Sequence, residues 1–263
     1  MKRFQKYLPL AALGLGIAAC LLRMWLFAMG TDDRGLLSAG SAPDILSWIT
    51  VAVTMALLAI GIRKLGGAYE DNSDPSAVAA LGTVLTAAAF CIATAMETGV
   101  AADSLQTAAT VMGFVATAAL LLLAWCRFIG SKPNVLLHTA VCIYLMLYLV
   151  SHYRLWSSYP QLQTYAFELL AIVFTMLASY QRAAFDGGMG NRRTYVFFSL
   201  AALFFSIATL PGSDNPVFFI GCAVWMFFTP CSLEPGEDGA EEINAYCDEA
   251  ASPPSDKGGG ENL

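Results

Sequence analysis

Glu168 is the only carboxylate deep inside an apolar run of this 263-residue chain. A charged side chain at the centre of a membrane-spanning helix costs ~2.5–3.5 kcal/mol on insertion scales, so such a group faces the helix bundle and meets a partner there. Thr164, Glu168, Thr175, Ser179 and Arg182 fall on one helical face, at steps of three, four or seven. The preceding apolar run offers Tyr144, Tyr148 and His152 at i, i+4 and i+8, again on one face. Near the end of the first apolar run stands Arg23. At 1.5 Å per residue, Glu168 and Arg23 come to nearly the same depth, ~10 Å below the same surface. Glu168, Arg23, Tyr148, His152 and Tyr144 therefore form the candidate binding site. Their chemistry is that of a polar pocket that binds a small solute or relays protons. The plainer alternatives are a structural Arg23–Glu168 ion pair, or an Arg23 that reaches for headgroups while Glu168 stays protonated.

Other chemistries find little support. The second histidine, His138, lies near the opposite end of its run, on the face of Cys142 and Leu145, and reads as hydrogen-bonded structure. Two histidines at opposite ends of one segment do not make a multi-histidine metal site, so neither metal nor cofactor is expected. None of the seven cysteines has CxxC spacing, and cysteines in apolar runs behave as small hydrophobes. HExxH and GxSxG are missing. No buried lysine follows Pro133 to form a Schiff base. The glycine-rich loop Phe185–Arg193 lacks a phosphate-binding pattern and reads as a turn whose arginines touch anionic lipid. Without a basic stripe, nucleic acid is not an expected partner.

The elements that must position these residues are long apolar helices. The chain is 57% hydrophobic and 13% charged, with mean hydropathy +0.60, whereas soluble domains carry about a quarter charged residues. The apolar material falls into blocks of the length needed to cross ~30 Å of hydrocarbon. Eight spans are predicted, at about 8–29, 44–62, 76–96, 104–128, 133–156, 162–185, 194–210 and 216–228. Ser41-Ala42-Pro43-Asp44, Asp74-Pro75 and Asp214-Asn215-Pro216 supply start signals. The first run is too long for a signal peptide core and is expected to remain as a span, although Ile17-Ala18-Ala19-Cys20 resembles a lipoprotein cleavage box. Small-xxx-small pairs at Gly14/Ala18, Ala52/Ala56 and Ala109/Gly113 would let helix backbones approach. The runs do not alternate as barrel strands do. The predicted fold is an all-α integral membrane protein: an eight-helix transmembrane bundle over 1–231 and a disordered acidic tail over 232–263.

Lysine and arginine alternate by loop. Ten fall on one side: Lys2, Arg3, Lys6, Arg63, Lys64, Arg127, Lys132, Arg182, Arg192 and Arg193. Only Arg34 and Arg154 fall on the other. This bias predicts eight spans in a plasma membrane with both termini in the cytoplasm, and the lack of Asn-x-Ser/Thr acceptors fits a bacterial one. The lipid bilayer is one expected partner. The leading functional expectation is a non-enzymatic protein that binds or transports a small solute through an outward-facing polar cluster. The second is a structural or accessory subunit packed against a partner membrane protein, its acidic tail docking in the cytoplasm. The third is an intramembrane enzyme using Glu168 with His152.

Overall fold

A computed structural model describes residues 2–29, 42–63, 76–98, 104–157, 165–187 and 189–231. Among these residues the chain is helical and has no strand: α1 (Lys2–Met29), α2 (Ala42–Arg63), α3 (Ala77–Glu97), α4 (Ser104–Ile129), α5 (Val135–Trp156), α6 (Ala166–Asp186), α7 (Arg192–Ala208), a 3-10 turn (Leu210–Gly212) and α8 (Pro216–Cys231). The helices α2 to α5 and the Tyr7–Met29 part of α1 are long and apolar enough to cross a membrane, and Pro216–Pro230 is a shorter apolar helix. Several expectations lie outside the described residues, among them the tail 232–263, Thr164 of the polar stripe, the start signal Asp74-Pro75, and Arg34 and Lys64 of the charge alternation.

Polar residues fix where the helices begin. Asn134 Oδ1 accepts from the Leu136 amide at 3.0 Å, and Asn191 Oδ1 accepts from Arg193 at 3.0 Å. Asn215 Oδ1 accepts from Phe218 at 3.3 Å, with Pro216 as the first helical residue. These are N-caps, which satisfy amides that have no partner within the helix. At α3 the cap is Ser76, whose hydroxyl accepts from Ala79 at 3.3 Å. The helix α6 starts at Ala166, later than the predicted 162, and α8 runs on past Phe228 to Cys231.

Neighbours in sequence pack together from α3 to α8, and α8 returns against α3, so six helices close a ring. α7 also carries α1 and α2 on its outer side. Its residues Ser199–Ala208 are buried without a break, the pattern of a helix surrounded on all sides. The bundle has two ends. The upper end collects the C-termini of α1, α3, α5 and α7 with the starts of α6 and α8. The lower end collects the C-termini of α4 and α6 with the starts of α3 and α5.

Close helix contacts depend on glycine. A Cβ on Gly113 would lie 2.6 Å from Thr94 Oγ1 and 3.0 Å from Tyr144 Cε2, and one on Gly82 would lie 2.5 Å from Phe228 Cβ. Of the three small-residue pairs, only Ala109/Gly113 is buried in such a contact. Gly14, Ala18, Ala52 and Ala56 are all exposed, and a Cβ on Gly14 would meet nothing within 4 Å.

Candidate functional site

At the upper end Arg23 is 3% exposed. Its guanidinium carbon lies 4.2 Å from the centroid of Phe167 and 5.5 Å from that of Phe27, distances at which a cation is attracted to the ring face. Phe167 in turn meets Trp48 of α2 at 5.5 Å and Phe205 of α7 at 6.0 Å. Arg23 thus stands where α1, α2, α6 and α7 converge. The 3-10 turn approaches this point through Gly212, where a Cβ would lie 2.6 Å from Phe27 Cζ and 3.5 Å from Arg23 Nη2. Beside it, a groove of about 550 Å³ is lined by Cys20, Met24, Phe27, Ala28, Leu210 and Pro211.

Glu168 follows Phe167 on α6 and is 2% exposed. No described residue makes a hydrogen bond to its Oε1. Arg23 and Asp214 lie within its electrostatic reach, and so does the Tyr148 hydroxyl. Asp214 accepts a hydrogen bond from Trp156 Nε1 at 3.4 Å. A carboxylate this deep ordinarily accepts several hydrogen bonds, and the bare oxygen of Glu168 is an exception.

Tyr144 and Tyr148 are buried inside the six-helix ring. Phe90, Phe218, Tyr148 and His152 stack in succession at 4.9, 4.3 and 4.0 Å between centroids. This column fills the ring's upper half and fixes the orientation of His152. Its Nδ1 lies 3.0 Å from the Tyr148 carbonyl, and because a carbonyl only accepts, Nδ1 carries the proton. Its Nε2 then faces Glu97 Oε1 at 3.7 Å, an oxygen that also accepts from Asn215 Nδ2 at 3.1 Å.

The five residues singled out by sequence thus divide. Glu168 lies near Arg23 and Tyr148, His152 is engaged by Glu97, and the Tyr144 hydroxyl lies 3.5 Å from Thr94 Oγ1. Glu97, at the end of α3, is held between His152 of α5 and Asn215 at the start of α8, with its side chain 16% exposed.

A second polar cluster, not recognised from the sequence, occupies the lower end. The Asp186 side chain is 8% exposed. It accepts from Arg127 Nη2 on both oxygens, at 3.0 and 3.1 Å, and its Oδ2 lies 3.0 Å from His138 Nε2. Arg182 Nε lies 3.8 Å from Oδ1, and the Arg182 guanidinium lies 5.7 Å from the Tyr195 ring centroid. Asp186 had been read as part of a glycine-rich turn. The available signal was spacing: Asp186 continues the Glu168–Arg182 stripe by one further step of four.

Among the described residues, no group of three or more His, Cys, Asp or Glu side chains is arranged to hold a metal ion. No protein-family model matches the chain, and neither a curated protein nor a solved structure is found to match it.

Proposed function

We propose that this chain is a polytopic protein of the plasma membrane, its eight helices all crossing, its termini in the cytoplasm and its upper end facing outward. In this reading it binds and moves a small solute at the upper end, with Glu168 as the recognising group and Arg23 and Tyr148 at its sides. The lysine and arginine alternation supports the orientation, and the five long apolar helices support the membrane setting. The observation that carries the functional reading is the Glu168 carboxylate. It is 2% exposed and Oε1 has no hydrogen-bond partner among the described residues. A buried acceptor without a partner costs about 1–3 kcal/mol, and a ligand donor would recover that cost. The test is mass spectrometry of small molecules that co-purify from native membranes with the full chain and with Glu168→Gln and Glu168→Leu. A solute held by the wild-type chain and lost from Glu168→Leu is the expected result. Identical profiles, yields and thermal stabilities for all three proteins would remove the site.

A second reading, an accessory subunit docked on a partner membrane protein, rests on α2. That helix packs mainly on α1 and α7 and touches α6 through Trp48 and Phe167, and its Ala52, Val53, Ala56, Leu57, Ala59 and Ile60 are exposed. Cross-linking from Ala56→Cys in native membranes tests it: capture of one defined protein supports docking, and reaction with lipid alone opposes it.

A further inference from the structure

The polar stripe of α6 does not stop at Glu168. Thr175, Ser179 and Arg182 are 0%, 1% and 6% exposed, and with Asp186 they follow Glu168 at steps of seven, four, three and four along one face. From Glu168 to Asp186 the helix rises ~27 Å, close to the ~30 Å thickness of a bilayer's hydrocarbon.

The neighbouring helices fill the intervals with further protic groups. The Tyr148 hydroxyl of α5 lies within electrostatic reach of Glu97, Tyr144, Glu168 and Cys222 of α8. Cys222 borders Thr175, and Cys142 of α5 borders Ser179. At the lower end the Tyr195 hydroxyl of α7 faces Ser199, Thr229, Arg182 and Asp186. Hydroxyls and thiols thus stand at intervals between a carboxylate in one half of the bundle and a carboxylate–histidine pair at the other end.

Thr175 in this series, like Thr83 and Thr117 away from it, bonds back to a carbonyl one turn earlier, Ala171, Ala79 and Gly113 at 2.7, 2.8 and 2.9 Å, which is how a lone hydroxyl is satisfied within a helix. Along the series, Glu168 Oε1, Arg182 Nε and His138 Nδ1 have no hydrogen-bond partner among the described residues. Buried polar atoms left in this way are where internal water binds.

We propose that this seam, Glu168–Tyr148–Thr175–Ser179–Tyr195–Asp186 with His138, conducts protons along the inside of the bundle. The inference rests on the reading that the helices cross a membrane with Glu168 toward the outside, and it names the proton as the ion that moves past that site. Glu168 takes a proton from the upper end. Each hydroxyl or water then accepts one proton on its oxygen as it releases another to the next. Asp186 or His138 delivers a proton at the lower end, so one proton is transferred, no heavy-atom bond changes and no co-reactant is consumed. Arg127 and Arg182 flank the exit and repel metal cations, whereas a proton leaves on the carboxylate or imidazole already there.

The experiment places the full chain in vesicles of phosphatidylethanolamine and phosphatidylglycerol with a trapped pH-sensitive dye, and imposes a potassium diffusion potential. Wild-type vesicles should change internal pH at least about tenfold faster than protein-free ones. Thr175→Val and Ser179→Ala, which remove a hydroxyl with little change of shape, should abolish most of that flux, and Thr175→Ser should retain it. Thr117→Val, away from the seam, should leave it unchanged. Wild-type flux equal to the protein-free rate would overturn the proposal. So would an equal loss in Thr117→Val, or no loss in Thr175→Val and Ser179→Ala. Failure here with a Glu168-dependent solute still co-purifying rejects the proton path alone. Flux without any such solute rejects the solute site and leaves the path standing.

Discussion

Asp186 accepts Arg127 Nη2 on both carboxylate oxygens, at 3.0 and 3.1 Å, joining the end of α4 to the end of α6. His138 brings in the start of α5 on the same carboxylate, so one side chain ties three helices at the lower end. Removing one member of a buried pair leaves the other charge desolvated, at a cost of about 3–5 kcal/mol, while replacing both with apolar groups is often neutral. Asp186→Leu alone is therefore expected to lower thermal stability sharply. Arg127→Met combined with Asp186→Leu should recover a large part of the loss, in a double-mutant cycle read by unfolding in detergent. An additive double variant would show that the pair is not coupled.

Two glycines in apolar helices should respond oppositely to alanine. At Gly82 the new Cβ would lie 2.5 Å from Phe228 Cβ, an atom next to the backbone that cannot rotate away. Gly82→Ala must push α3 from α8 and is expected to cost about 1–3 kcal/mol. Gly14 meets nothing within 4 Å, so Gly14→Ala should be neutral or stabilising by up to about 1 kcal/mol through helix propensity. Melting temperatures of the two variants in one detergent decide the matter.

These two cases also mark how much the sequence disclosed. The eight helices were legible as apolar runs, and of the residues that cap them through bonds reaching only two or three residues along the chain, Asn134, Asn191 and Asn215, only Asn215 stood out as a start signal in the sequence. The inward face of α6 was legible too, since a helical stripe needs only one helix. Partners across helices were not. Gly14/Ala18 and Ala109/Gly113 have the same spacing, yet only the second pair faces a neighbour. Glu97 meets Asn215 across 118 residues, and Asp186 meets His138 across 48. Nothing local distinguishes such carboxylates from ones that solvate a helix end.

Asn215 performs two tasks that a single substitution separates. Its Oδ1 caps α8 at Phe218, and its Nδ2 donates to Glu97. Asn215→Ala loses both, with a cap loss of about 0.5–2 kcal/mol in addition to the bond. Asn215→Asp keeps the cap but sets a second carboxylate against Glu97 Oε1, where a donor had been 3.1 Å away. Two carboxylates at that separation cannot both ionise without strong repulsion. The folded pair then holds a proton to higher pH than the same two groups hold it in the unfolded chain. A raised folded-state affinity stabilises below the ordinary carboxylate range of about 4 and is lost as pH rises above it. Asn215→Asp should accordingly match the wild-type melting temperature most closely in acid and fall progressively below it toward neutral pH. Asn215→Ala should show a deficit with little dependence on pH. A parallel offset of the Asn215→Asp and wild-type curves at every pH would mean that Glu97 and residue 215 are not in contact, and that α8 is held to α3 at this end by packing alone.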